Sequence, residues 1–236
     1  MNATSHGSDR RTTQVSLVVP GDPDVSAVLH APAEPSGVAF VLAPGAGTTM
    51  ESPFLVTIAD RLAARGHAVM RFNFGYQERG SKRPDPKKTL VATYRSAAGT
   101  LRARGCDRLV IGGKSMGGRM ATLLAAEGYA CDGLVLLGYP LHPAGKPHEL
   151  RDEHLPRVSA PMLFVQGTRD PLCDLALLRP VLARVGPLAA LLEIEGGDHG
   201  FEVRKKDGRT YEEVLDQIAT GVAAFLAARS GAAVRA

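Results

Sequence analysis

From Val38 onward, short runs of Val, Leu, Ile and Phe alternate with longer stretches whose apolar residues recur at helical spacing. A strand that is apolar at successive residues is buried on both faces, and two parallel strands need a crossover of about a dozen residues or more. The alternation therefore specifies an α/β fold, a mostly parallel sheet with helices on both faces, and not α+β. Strands are expected at Val38–Ala43, His67–Phe72, Arg108–Gly113, Gly133–Gly138, Pro161–Gly167 and Leu188–Glu195. A helix capped by Ser52 should run to about Arg65 and close at Gly66. Further helices are expected over Pro86–Arg104, Met116–Glu127, Asp174–Val185 and Thr210–Arg229. Ahead of these, Gln14–Val19 and Ser26–His30 read as an antiparallel lead-in, joined by the turn Pro20-Gly21-Asp22-Pro23.

A chain of 236 residues suits one domain, expected over 14–236. Residues 1–13 are polar, lack the apolar stretch of a secretory signal, and read as a disordered tail. No apolar run approaches the roughly 20 residues that span a bilayer, so no membrane association is expected. The formal charge is +4, but Lys and Arg are interleaved with Asp and Glu, which argues against a nucleic-acid partner. Cys106, Cys131 and Cys173 are odd in number and lack metal-ligand spacing, which suits reduced thiols in the cytoplasm.

Gly113-Lys114-Ser115-Met116-Gly117 matches G-x-S-x-G, a tight strand-to-helix turn that lifts a serine hydroxyl clear of the backbone. With 26 glycines in the chain such a match has a real chance of arising by accident, so its surroundings decide. Leu109-Val110-Ile111 is a buried-strand run before the serine, and Met116 to Ala126 is helix-forming after it. Ser115 is thus the candidate nucleophile, and it needs a base with a group to orient it. Asp170 follows the strand Met162–Gly167, at the strand end where α/β folds build their sites. Its rival Asp174 is placed instead to cap the next helix. His199 lies in the glycine-flanked turn Gly196-Gly197-Asp198-His199-Gly200 and is the candidate general base, while Asp198 is expected to shape that turn.

Acyl transfer also requires donors for the developing oxyanion. The Met116 backbone N–H is one candidate. The second falls in Ala43-Pro44-Gly45-Ala46-Gly47-Thr48, with Ala46 favoured and Gly47 as the alternative register. Gly45 and Gly47 would let backbone approach the substrate, and Phe74, Tyr76, Tyr139 and Leu141 could line a small pocket.

These motifs resemble those of the α/β-hydrolase superfamily from about Val38 to the last helix. More narrowly, Pro44-Gly45-Ala46-Gly47, Arg71-Phe72-Asn73-Phe74, Gly112 to Arg119, Gly138 to Pro143, Gln166 to Asp170 and Gly197-Asp198-His199 resemble the dienelactone-hydrolase-like branch. Within it the testis-expressed-protein-thirty-like group is the most similar. The resemblance implies Ser115, Asp170 and His199 as a catalytic triad, with no cofactor and no large lid. Two departures stand out: Pro44 replaces a histidine common among relatives, and serine stands where dienelactone hydrolases proper use cysteine.

Other signals are weaker. Lys114 and Arg119 flank the elbow, and Arg71, Arg79, Lys82, Arg83, Lys87 and Lys88 lie near the loop after His67–Phe72; all are expected to be solvated rather than substrate-binding. His142, His148 and His154 lack compact metal spacing, so no metal is expected. A phosphate loop is excluded because Arg108 stands where its first glycine would be. The expected function is hydrolysis of small carboxylic esters or thioesters. The alternatives are a non-catalytic binding domain and acyl transfer or perhydrolysis on the same triad. Asn73–Pro86 and Tyr139–Ser159 offer no amphipathic lid helix, which points to short acyl groups.

Overall fold

The apolar runs become strands and the intervals between them helices in the computed structural model, which describes residues 11–19 and 25–228. The strands are β1 (Arg11–Leu17), β2 (Val25–Ala31), β3 (Val38–Ala43), β4 (Ala68–Phe72), β5 (Arg108–Lys114), β6 (Gly133–Leu137), β7 (Met162–Gly167) and β8 (Ala189–Ile194). The helices are α1 (Pro53–Ala63), α2 (Gly75–Glu78), α3 (Lys87–Ala103), α4 (Met116–Ala126), α5 (Leu175–Val185) and α6 (Tyr211–Ala227). All eight strands join one sheet in the order β1-β2-β4-β3-β5-β6-β7-β8. From β4 to β8 the neighbours are parallel, while β2 pairs antiparallel with both β1 and β4.

Because successive strand residues face opposite sides, the sheet divides its apolar residues between two cores. Phe40, Leu42, Val110, Val135 and Val165 pack under α1 and α6, which bury Leu55, Ile58, Leu62, Val214, Ile218 and Val222. Val41, Ile111, Leu134, Leu136 and Phe164 face the other way, against Tyr94 of α3, Leu124 of α4 and Leu178 of α5. Caps fix the helix starts as the sequence suggests. Ser52 accepts from Leu55 N–H, Asp174 from Ala176 N–H, and Thr210 from Glu213 N–H.

Tyr94 ties two parallel strands together from the α3 side. Its buried hydroxyl accepts from Gly112 N–H at 2.6 Å and lies 2.9 Å from the Val41 carbonyl. A phenol that crosses from β3 to β5 just below the elbow steadies the segment leading into Ser115.

Two segments differ from expectation. Strand β1 starts at Arg11, so Arg11 to Thr13 belong to a strand paired with Ala31, His30 and Leu29 and not to a tail. The turn Pro20–Pro23 and the expected helix end at Arg229 lie outside the described residues. The loop after β4 holds the short helix α2, because Gln77 turns its amide oxygen back to Phe74 N–H at 2.7 Å and caps one turn. Among the described residues, the segment between β6 and β7 carries one 3-10 turn, Leu155–Arg157, and no lid helix.

Replacing Tyr94 with Phe removes a hydroxyl from a site where the Gly112 N–H has no water to turn to. Urea unfolding should show Tyr94→Phe destabilised by about 1–3 kcal/mol at an unchanged m-value.

Candidate active site

Strand β5 runs straight into α4 through Ser115, whose backbone angles are φ 50° and ψ −114°. A side-chain-bearing residue with positive φ is strained, on the order of 1–3 kcal/mol, and persists only where its surroundings fix it. Here they do. A Cβ at Gly117 would lie 2.6 Å from the carbonyl oxygens of both Ala43 and Pro44, and one at Gly113 2.3 Å from Ala43 O. The elbow is thus wedged against the end of β3, and no larger residue fits at these two positions.

Two more loops close on the serine from β7 and β8. A Cβ at Gly167 would fall 2.3 Å from Gly197 O, so the end of β7 and the turn after β8 touch backbone to backbone. Arg169 N–H donates to Gly197 O at 2.8 Å across the same seam. Within the turn, Asp198 Oδ1 accepts from Gly200 and Glu202 N–H at 2.7 and 2.9 Å. This is the turn-shaping role read for it in the sequence.

The structure brings Ser115, His199 and Asp170 together. His199 Nε2 is 2.9 Å from Ser115 Oγ, and Nδ1 is 2.7 Å from Asp170 Oδ2. A carboxylate can only accept, so Nδ1 carries the proton and Nε2 is left to accept from the serine hydroxyl. The Asp170 side chain is fully buried while 28% of His199 is exposed. Asp170 is also held by Gln166 Nε2 at 2.6 Å and by Leu172 N–H at 2.8 Å. Gln166 was not read as a site residue; a lone amide ending the apolar run Met162-Leu163-Phe164-Val165 was the available signal. Asp174 caps α5 and takes no part.

The loop after β3 is pinned at Met50 and near its middle. Asn73 accepts from Met50 N–H at 2.8 Å and donates to Glu78 at 2.9 Å, and Arg71 donates to Met50 O. Arg71 also donates from Nε to His30 Nε2 at 2.9 Å, which fixes the other ring proton on Nδ1, facing Asp60 at 2.9 Å. Burial first, then the Arg71 charge, lowers the His30 pKa. Arg71 is therefore buried and committed to the loop. Near the middle, Gln77 Nε2 donates to Thr48 O and lies 3.2 Å from the Tyr76 hydroxyl.

A cleft of about 400 Å³ opens beside the serine, lined by Ala46, Ser115, Met116 and Leu172 together with Arg119 and Arg151. Gly45 packs against the Ser115 side chain, where a Cβ would be 3.5 Å from Ser115 Cβ, whereas Gly47 has open space around it. Phe74 and Tyr139, expected to line a pocket, do not. Both are fully buried in the core on the α3 side of the sheet. Phe74 packs edge-on to Phe72, and the Tyr139 hydroxyl donates to Arg151 O at 2.7 Å. Tyr76 and Leu141 are buried in the same core. Of the excursion histidines, His142 donates from Nδ1 to Pro143 O and accepts from Asp174 N–H, and His154 bonds Thr122.

Lys114 also departs from expectation. Its ammonium is not solvated; it turns under the site, donates to His199 O and lies 5.2 Å from the Phe201 ring centroid. Burial pulls its pKa down to about 8, against the pull of the Asp170 and Asp198 charges in the other direction.

A serine between strand and helix, with a histidine and a buried aspartate, stands at the carboxyl ends of a mostly parallel sheet, and the comparisons agree on the fold. The model of the alpha/beta hydrolase domain family matches residues 36–227, and the chain belongs to that family. Among solved structures, it superposes on XC6422 from Xanthomonas campestris, an a/b serine hydrolase without lid, with a TM-score of 0.71, 22% identity and coverage of 92% of this chain and 95% of that one. Dienelactone hydrolase from Anabaena variabilis gives 0.68 at 22% identity, over 91% and 96% of the two chains. An alpha-beta serine hydrolase homologue from Coxiella burnetii gives 0.72 at 16% identity, over 91% and 97%. At these identities the structural likeness speaks to the fold.

The lowered Lys114 pKa carries a sign for stability. Between pH 8 and 10.5 the unfolded chain binds more protons at this group than the folded one, so its burial becomes less costly as pH rises through that window. The stability of the native protein relative to Lys114→Met should therefore increase from pH 8 to pH 10.5, measured by urea unfolding at each pH. A difference that stays flat would mean a solvated amine.

Proposed function

We propose that this protein is a serine hydrolase that cleaves small carboxylic esters or thioesters through an acyl-enzyme. The observation that carries this reading is the continuous hydrogen-bond relay from Asp170 through His199 to Ser115. His199 Nε2 takes the Ser115 proton as Oγ attacks the carbonyl carbon, and the imidazolium gives that proton to the departing alkoxide or thiolate. Water then attacks the acyl-enzyme, with His199 again the base, and the acid leaves as Ser115 recovers its proton. Asp170, held in place by Gln166 and Leu172 N–H, orients the ring and stabilises its charged form.

The oxyanion donors in this reading are the backbone N–H groups of Met116 and Ala46, both beside Ser115 in the cleft. Ala46 is preferred over Gly47 because Ala46 lines the cleft beside Ser115 and Gly47 does not. The motifs shared with the testis-expressed-protein-thirty-like group support placement near it. The three free thiols, Cys106, Cys131 and Cys173, support a cytoplasmic site of action. A cleft of about 400 Å³ favours short acyl groups.

Ser115→Ala should abolish both labelling by a fluorophosphonate probe and ester hydrolysis while the thermal transition stays in place; persistent labelling would move the nucleophile elsewhere. Asp170→Asn should lower kcat on the order of 10⁴-fold, and Asp174→Asn should have little effect on kcat. Along a p-nitrophenyl ester series, kcat/KM should be greatest at acetate and butyrate. A rise continuing past about eight carbons, at the usual gain per methylene, would reveal a groove absent from this cleft.

A further inference from the structure

The cleft beside Ser115 has two guanidinium groups and no carboxylate among its lining residues. A second cleft, of about 250 Å³, shares Arg119 and Arg151 with the first and adds Lys87, Arg157 and His154 together with the acids Asp152 and Glu153. These acids and the nearby Glu149 are paired elsewhere or exposed. Asp152 is paired with Arg184, Glu149 with Lys146 at 2.8 Å, and Glu153 is exposed.

Among the described residues neither Arg119 nor Arg151 forms an ion pair. The Arg119 Nε is buried without a hydrogen-bond partner. Arg151 reaches the Pro140 carbonyl at 3.5 Å, a long contact for a charged donor. The two cations also feel each other: burial and then the Arg119 charge lower the Arg151 pKa. Burial and then Arg119 and Arg157 push His154 down to about 4, so it adds no third charge at neutral pH. Neighbouring like charges with an unmet buried N–H are unfavourable in the free protein and favourable once an anion lies between them.

We propose that Arg119 and Arg151 form an anion subsite, so that the enzyme selects esters or thioesters carrying a carboxylate or phosphate some bonds away from the scissile carbonyl. This rests on the serine-hydrolase reading. The planar guanidinium fork suits either oxyanion, and the adjoining Lys87 and Arg157 would strengthen the field drawing an anionic substrate in.

The test compares matched substrate pairs by pH-stat or thiol release. One pair is monoethyl glutarate against ethyl pentanoate, a carboxylate on the acyl side. The other is the butyryl thioester of phosphopantetheine against that of pantetheine, a phosphate on the thiol side. In at least one pair the anionic member should have a kcat/KM about 10- to 100-fold higher, the usual range for charge-assisted bonds. Which pair responds identifies the anion and the side. In Arg119→Gln and in Arg151→Gln the anionic-to-neutral ratio should fall to within about threefold of unity. On the wild-type protein, raising ionic strength from about 0.05 to 0.5 M should lower the anionic kcat/KM alone, a readout that does not depend on the variants folding. Neutral members turned over as fast as anionic ones in both pairs would overturn the subsite and leave the hydrolase standing. Failure of every substrate together with failure of Ser115 to react with a fluorophosphonate would overturn both.

Discussion

The turn from β5 into α4 is possible because glycine stands wherever another chain segment passes. Gly113 and Gly117 touch the end of β3, and a Cβ at Gly112 would meet Val135 O of β6 at 1.9 Å. With those contacts made, Ser115 has no room to relax from φ 50°, and its strain is held by neighbours on both sides. The crowding that distorts the serine also aims α4 so that its first N–H groups face the cleft. The loop from β3, the seam between β7 and the His199 turn, and the cleft are all positioned relative to this one wedge.

Around the wedge, polar groups hold loops in place where apolar packing is thin. Arg71 and Asn73 leave the end of β4 and fasten the β3 loop at Met50, while Gln77 holds its middle. Gln166 and Leu172 N–H fasten Asp170, and Lys114 fastens the His199 turn. Each of these side chains anchors backbone and is committed within the fold. Arg119 and Arg151 differ from them in facing the cleft with donors to spare, which is why they read as substrate contacts and Arg71 does not.

Much of the architecture was legible in the sequence because it depends on periodicity. The doubly apolar strands from Val38 onward, the caps Ser52 and Asp174, and the preference for Asp170 over Asp174 as the neighbour of His199 all followed from pattern and position. What escaped notice depends on direction. Phe74 and Tyr139 lie in loops near the site, and a loop without a period does not declare which side faces the core; both turned inward and fill it. Lys114 was expected to be solvated because lysine usually is, yet a strand-end residue facing the underside of the elbow has Phe201 and a carbonyl as its surroundings. Helix α2 was missed since a single turn has no periodicity, and its stability comes from the amide of Gln77.

The fastening of the β3 loop has a consequence for timing. In the proposed mechanism, a loop held at Met50 and Thr48 before any ligand arrives would have its backbone donors already aimed, so no ordering entropy would be withheld for the moment of reaction. With no lid to close over the cleft, substrate capture and product release need no slow segmental rearrangement. In the proposed mechanism, turnover in such a site would be governed by bond making and breaking at the acyl carbon, and solvent viscosity should have little hold on it.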